Sequence, residues 1–394
     1  MVPPRIPYWR LSSFYFYFFG LLGALLPFWG LYLREQGFSL GQIGQLMAIL
    51  VGTKLVAPNA WGWLADHTGH RLTVIRFGAV LAVLIFAFMF SRPGFWGMAL
   101  VMAGFSFFWN AILPQFEVIT LRHLGPATDR YSRIRVWGSV GFVCAVVGLG
   151  WYFDAYPLTG LPYVALTLLM LIAVSSFLVH SPEGRVVQRG SLQAFIAHLR
   201  QPQVILFFSI CFLMQVSHGP YYAFFSIYME DYGHSKTVIG VLWAWGVVAE
   251  IGVFLIMHRL FRRFNVRTLT LACLLLAAGR WLVTGMVPQY LGVIFLVQTA
   301  HAATFGVFHA VAIYLIHRFF SKPAAGQGQA LYSALSFGAG GAAGAYISGI
   351  IVENQGASMA YLMAGLAALL ASGLALGLRS HTEQREFNDG SQSA

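Results

Sequence analysis

The stretch LPFWGLYLREQGFSLGQIG (26–44) has a counterpart 196 residues further on, YAFFSIYMEDYGHSKTVIG (222–240). Six of nineteen positions are identical: Phe28/Phe224, Tyr32/Tyr228, Gly37/Gly233, Ser39/Ser235, Ile43/Ile239 and Gly44/Gly240. That match makes the two apolar segments, and the loops after them, equivalent parts of a duplicated chain. The same shift sets Lys54 opposite Glu250, one charge of each sign at the same place in each copy.

Working outward, apolar runs of about twenty residues recur along all 394 positions, each long enough to cross a bilayer as a helix. They fall at 11–33, 42–65, 73–91, 95–121, 136–153, 162–180, 204–229, 238–258, 267–286, 290–317, 328–352 and 357–378. With 58% hydrophobic and only 9% charged residues, the chain is solvated mainly by lipid, because a soluble domain carries about a quarter charged residues. The expected fold is an all-α membrane protein of twelve transmembrane helices in two six-helix bundles, 1–180 and 204–380. A cytoplasmic linker (181–203) with one short amphipathic piece joins them, and a tail (381–394) follows.

The net charge of +11 raises nucleic acid as a partner, and its distribution excludes it. With the N-terminus inside, nineteen Lys and Arg lie on the cytoplasmic side and three opposite (Arg34, Arg92 and Lys236). Lys54 and Arg280 fall within spans. This asymmetry is the positive-inside rule, and it places both termini in the cytoplasm; the 21 Arg to 3 Lys among the basic positions fit a bacterial chain, for which the inner membrane is the expected location. Cys144, Cys211 and Cys273 sit in apolar runs and read as small core residues. The first apolar run is too long for a signal-peptide core and reads as a span.

Ionisable groups at membrane depth cost about 2.5–3.5 kcal/mol each on insertion scales, which makes Lys54, Glu117, Glu250 and Arg280 functional candidates. His218, His301 and His309 also lie in spans. The rival reading, static ties within the bundle, is costly for so many groups, since apolar packing ties helices more cheaply. In FSFFWNAILPQFEVIT (105–120), Asn110, Pro114 and Glu117 are four and three apart and line one face. Gln298, His301 and Phe305 share a face in the tenth span, and Gln215, His218 and Tyr222 share one in the seventh. The spacing leaves His309 open between a structural and a functional role.

After the second span the sequence reads GWLADHTGHR (62–71). It resembles the loop signature of the major facilitator superfamily at Gly62, Leu64, Ala65, Asp66, Gly69 and Arg71, in the loop where that family has it. The resemblance implies a conformational gate made by Gly62, Asp66, Gly69 and Arg71. Asn110, Pro114, Glu117 and, eighteen residues on, Arg135 in YSRIRVWGSVGF (131–142) resemble the lactose permease group. In that group the matching Glu and Arg grip the sugar, which implies Glu117 held against Arg135 as a binding pair. Glu250 matches that group's coupling Glu, and Arg280 its ninth-span Arg. In VQTAHAATFGVFHA (297–310) His301 matches, but Gln298 and Thr304 stand where the group has Lys and Glu. A lactose-type coupling carboxylate is therefore missing from the tenth span, and the resemblance leaves Glu250 and His301 as the proton-coupling candidates.

IRVWGSV (134–140), GVVAE (246–250), HAATF (301–305), Lys54 and His218 with Tyr221 and Tyr222 resemble the 3-phenylpropionate permease branch over nearly the whole chain. The resemblance implies proton-coupled symport of a small aromatic carboxylate by alternating access. Bound by Lys54, Asn110, Glu117, Arg135, His218, Tyr222 and Arg280, such an anion suits the mixture of cations and aromatic rings. A sugar or nucleoside symporter and a drug-efflux antiporter are the alternatives, and a fifth span with no Pro argues against efflux. No enzyme motif, cofactor or metal cluster is present in the sequence, and a monomer working on an organic anion and a proton in the lipid bilayer is expected.

Overall fold

The computed structural model describes residues 6–180, 192–320 and 322–379. Twelve helices are long and apolar enough to cross a membrane: α1 (Tyr8–Glu35), α2 (Leu40–Thr68), α3 (Arg71–Ser91), α4 (Phe95–Leu124), α5 (Thr128–Ala155), α6 (Leu158–Phe177), α7 (Pro202–Asp231), α8 (Lys236–Arg263), α9 (Val266–Met286), α10 (Leu291–Phe319), α11 (Ala324–Gln355) and α12 (Ala357–Ala375). There is no strand among the described residues. The expected all-α chain of twelve spans is what is found. The amphipathic piece of the linker is the helix Leu192–Leu199. Residues 181–191 of the linker and the tail 381–394 lie outside the described residues.

The duplicated stretch shows why its identities persist. Gly37 and Gly233 both carry a positive φ, +86° and +81°, in the turn after α1 and after α7. A side chain would strain that backbone, so glycine is required twice. Ser39 and Ser235 both cap the following helix, accepting from the backbone N–H of Gln42 and of Val238 at 3.3 Å in each copy. The start of α8 is capped a second time from α5, where the Asp154 carboxylate accepts the N–H groups of Lys236 (2.7 Å) and Thr237 (3.0 Å).

Two compact units divide the chain, one from residues 1–187 with 222–244, the other from 188–221 with 245–394. In the first, α1 packs on α5 and α6, α3 on α4 and α6, and α2 on α4. Without a hydrophobic force between helices in lipid, close backbone approach supplies the packing. At Gly141 of α5 even a methyl group would overlap the backbone of Phe16 on α1. In the second unit α9 packs on α12, α12 on α7, and α7 on α11. Large apolar side chains such as Trp96, Trp151, Phe77 and Leu255 are exposed, as lipid-facing positions allow. Cys144 is among the outward positions and is not a core residue. A small apolar thiol serves a lipid face as well as a core, so its span alone could not decide.

Gly141→Val therefore overpacks the α1–α5 contact and costs about 1–3 kcal/mol. Thermal melting of the purified protein in detergent should fall for this variant. It should be unchanged for Gly148→Val on the same helix, where nothing lies within 4 Å of an added Cβ.

Candidate functional site

In the first unit the site is organised by two prolines. Pro58 donates no N–H, and its ring crowds the carbonyl four residues back, that of Lys54. Helix α2 accordingly breaks into a short 3-10 segment, Thr53–Leu55, with Lys54 at its centre. Asn110 on α4 mends the break: its amide donates to the Leu50 carbonyl (3.0 Å) and to Thr53 Oγ1 (2.8 Å), and Thr53 reaches Ser106 at 3.1 Å. Lys54 itself makes no hydrogen bond or ion pair with another described residue.

Seven residues along α4, past Pro114, Glu117 accepts the hydroxyl of Tyr131 on α5 at 3.2 Å. The structure thus gives Asn110 and Glu117 to different neighbours, α2 and α5, and does not gather them into one set of contacts. The sequence pairs Glu117 with Arg135, but no ion pair within 4 Å joins them. The Arg135 guanidinium instead lies 3.9 Å from the ring centre of Phe19 and 5.8 Å from that of Tyr15, both on α1. Tyr15 in turn donates to Thr120 at 3.0 Å, one turn beyond Phe116. Tyr131, one helical turn before Arg135, was the partner missed, and the i, i+4 spacing was the signal for it.

The loop signature forms a tight local unit. Gly69 ends the helix with φ +71°, and Arg71 then turns back to form an ion pair with Asp66. Arg71 also donates to Gln115 on α4, and an added Cβ on Gly62 would lie 3.2 Å from the Gln115 amide. Gln115, immediately after Pro114, is a member of this cluster that the sequence did not reveal. Tyr222 stacks near Trp243 with ring centres 6.3 Å apart, and the Trp243 indole donates to Ser226 at 3.2 Å.

In the second unit Pro220 breaks α7 after Ser217, and His218 sits at the junction. Its Nδ1–H donates to the Met214 carbonyl at 2.8 Å, and its ring meets Trp281 edge-on at 4.9 Å. Arg280, only 2% exposed, is the hub. It donates to Gln298 (2.6 Å) and Thr304 (3.0 Å) and approaches His301 Nδ1 at 3.1 Å. Its guanidinium also faces the Tyr221 and Trp281 rings at 4.4 and 4.5 Å. An accepting Nδ1 leaves the proton of a neutral His301 on Nε2, which lies 3.9 Å from the Glu250 carboxylate. Glu250, His301 and Arg280 are thereby brought together. The two departures, Gln298 and Thr304, prove to be the neutral acceptors of Arg280.

Comparison with known proteins gives this arrangement its context. The family model described as "MFS_1 like family" matches residues 8–363. The chain is 29% identical over 376 residues to the Escherichia coli protein named "Probable 3-phenylpropionic acid transporter", covering 90% of this chain and 94% of that one. It is 28% identical over 357 residues to the maltose permease of Geobacillus stearothermophilus, covering 89% of each. Among solved structures, a mutant form of the nucleoside transporter NupG superposes with TM-score 0.83 at 17% identity, covering 94% of this chain and 99% of that one.

Asn110→Leu should remove both amide hydrogen bonds from the broken turn of α2. The expected loss is about 1–3 kcal/mol, read as a lower melting temperature in detergent, with Asn110→Asp failing to restore it because a carboxylate cannot donate to the Leu50 carbonyl.

Proposed function

The chain belongs to the MFS_1 like family of transporters, and from that premise we propose that it imports a small aromatic carboxylate such as 3-phenylpropionate together with a proton. One observation carries the reading. The Arg135 guanidinium rests on the faces of Phe19 and Tyr15 and makes no ion pair with Glu117, whose oxygen is engaged by Tyr131. A cation held against aromatic walls and not neutralised by a contacting carboxylate is the arrangement that a bidentate anion with an aromatic ring would complete. Lys54, in the α2 break, is a second cation for that role, and Asn110 fixes the turn that carries it. His218, Tyr222 and Arg280 complete the binding set.

Glu250 is the proton carrier in this reading. His301, oriented by Arg280, presents its Nε2 side to the carboxylate, and a bound proton would remove the attraction between them. Gly62, Asp66, Gly69 and Arg71 act as the gate, with Gln115 as the α4 side of it. The basic loops face the cytoplasm, both termini lie there, and the protein works as a monomer in the inner membrane by alternating access of its two six-span halves.

A sugar or nucleoside is the second reading. It is favoured by the names of two relatives, the maltose permease and the nucleoside transporter, and by a Glu117 carboxylate that already accepts a hydroxyl. Uptake of labelled 3-phenylpropionate into proteoliposomes separates the two. Accumulation driven by an inward proton gradient and lost at least tenfold in Arg135→Gln is the expected result. Absence of uptake, with transport of maltose or a nucleoside in its place, would withdraw the aromatic acid.

A further inference from the structure

Histidines recur every eight residues along α10, at His301, His309 and His317. Eight residues of regular α-helix turn through about 800°, which would leave successive members some 80° apart around the axis. Between the first two, however, the helix runs through a π-helical segment, Ala302–Val307. The wider turn takes up an extra residue and brings His309 into line with His301. The rings show the result: His301 stacks on Phe305 at 5.3 Å and 9°, and Phe305 on His309 at 6.2 Å and 8°. His309 Nδ1 shares a hydrogen bond with the Tyr332 hydroxyl at 3.2 Å, and His317 with the Gln329 amide at 3.1 Å, both partners on α11. Exposure rises along the series from buried His301 through half-buried His309 to exposed His317.

Glu250 is placed to serve both ends of the gap. Its carboxylate lies 3.9 Å from His301, while its Cγ lies 3.1 Å from the point where a Cβ on Gly306 would stand. Gly306 belongs to the π turn and precedes His309 by three residues. A side chain there would occupy the space over which the Glu250 stem must pass. With Val253 also 3.1 Å from that point, the glycine is what lets α8 lie close, and the Glu250 stem rests against the π turn that separates His301 from His309.

We propose that His309 is a second proton site, accepting the proton that Glu250 carries and passing it to water at the His317 end of α10. This step rests on the proton-coupled reading above. Protonated Glu250 turns past Gly306 and gives its proton to Nε2 of neutral His309. A carboxylate and an imidazolium result, with Nδ1 still held by Tyr332. The imidazolium then loses its proton to water on the more exposed side, and Glu250 returns to His301. The charged and titratable groups around this route are His301 and His317 on α10, Glu250 on α8, Arg280 on α9 and Tyr332 on α11. Arg280, set against His301, repels an imidazolium there and favours a proton that moves on toward His309. A purely structural His309–Tyr332 tie would need neither the π turn nor the gap at Gly306.

The test compares two modes of transport in proteoliposomes with labelled 3-phenylpropionate: accumulation under an inward proton gradient, and exchange at equal concentrations without one. Exchange requires a folded, binding protein but no net proton release. In His309→Gln, accumulation should fall at least tenfold while exchange stays within about twofold of wild type. Gly306→Ala, which obstructs the swing and leaves every titratable group in place, should show the same split. Wild-type-like accumulation in His309→Gln would overturn the relay while leaving proton coupling intact, as would a parallel loss of exchange. A wild-type protein that exchanges 3-phenylpropionate but accumulates none under the gradient would overturn the coupling reading and the relay with it.

Discussion

Inside hydrocarbon a backbone carbonyl without a donor costs several kcal/mol, and the candidate site residues of this chain are arranged around the places where that rule is strained. Pro58 and Pro220 each remove a donor and crowd a carbonyl one turn back, and each opens a helix at a polar residue: Lys54 in α2, His218 in α7. The break in α2 persists because Asn110 supplies its amide to the Leu50 carbonyl across the helix contact. A side chain conspicuous as a polar intruder in an apolar span is thus, in its first duty, a replacement for lost backbone bonding. Placing a lysine at membrane depth becomes possible because the distorted turn around it is held by Asn110 and Ser106.

The two units solve the problem of buried charge differently. In the first, a cation leans on aromatic faces while the nearby carboxylate takes a phenol hydroxyl. In the second, Arg280 is surrounded by neutral acceptors, Gln298, Thr304 and His301, with two rings beside it. Gln298 and Thr304, where the lactose permease group has a lysine and a glutamate, remove one charge of each sign, so the local balance is kept. A neutral amide and hydroxyl satisfy guanidinium donors without the desolvation penalty of a second buried ion.

Much of this was legible in the sequence because it depends on local rules. Helix length and hydropathy set the twelve spans, and loop residues with a forced φ set the turns. Gly62, Asp66, Gly69 and Arg71 were named together by one motif, whereas the ion pair of Asp66 with Arg71 and the approach of Glu250 to His301 at 3.9 Å are seen only in the structure. What escaped was decided by side-chain direction across helix contacts. The resemblance pointed from Glu117 to Arg135, yet the contact runs to Tyr131, one turn earlier, while the Arg135 guanidinium lies against Phe19. Gln115 was hidden beside a proline that drew attention to itself. The π turns of α10 and α11, Ala302–Val307 and Ser333–Gly340, leave no mark in apolar periodicity, because one inserted residue shifts a face without changing its composition. His309 could be given no role until that shift was seen.

The duplication imposes one more constraint, visible at the end of α1. Arg34 forms ion pairs with Glu230 and, at 2.5 Å, with Asp231. Glu230 is 196 residues from Arg34, so this residue touches its own counterpart in the repeat. At such a position two copies that carried the same charge would face each other and repel, whereas opposite signs attract. Arg34 became paired with Glu230, and Glu35 stands at the position that Asp231 fills in the second copy. Positions whose role is confined to their own copy carried no such pressure: Gly37 and Gly233 keep the same turn, Ser39 and Ser235 the same cap. Lys54 and Glu250 also differ in sign, Lys54 lying in the α2 break of the first unit and Glu250 near His301 in the second.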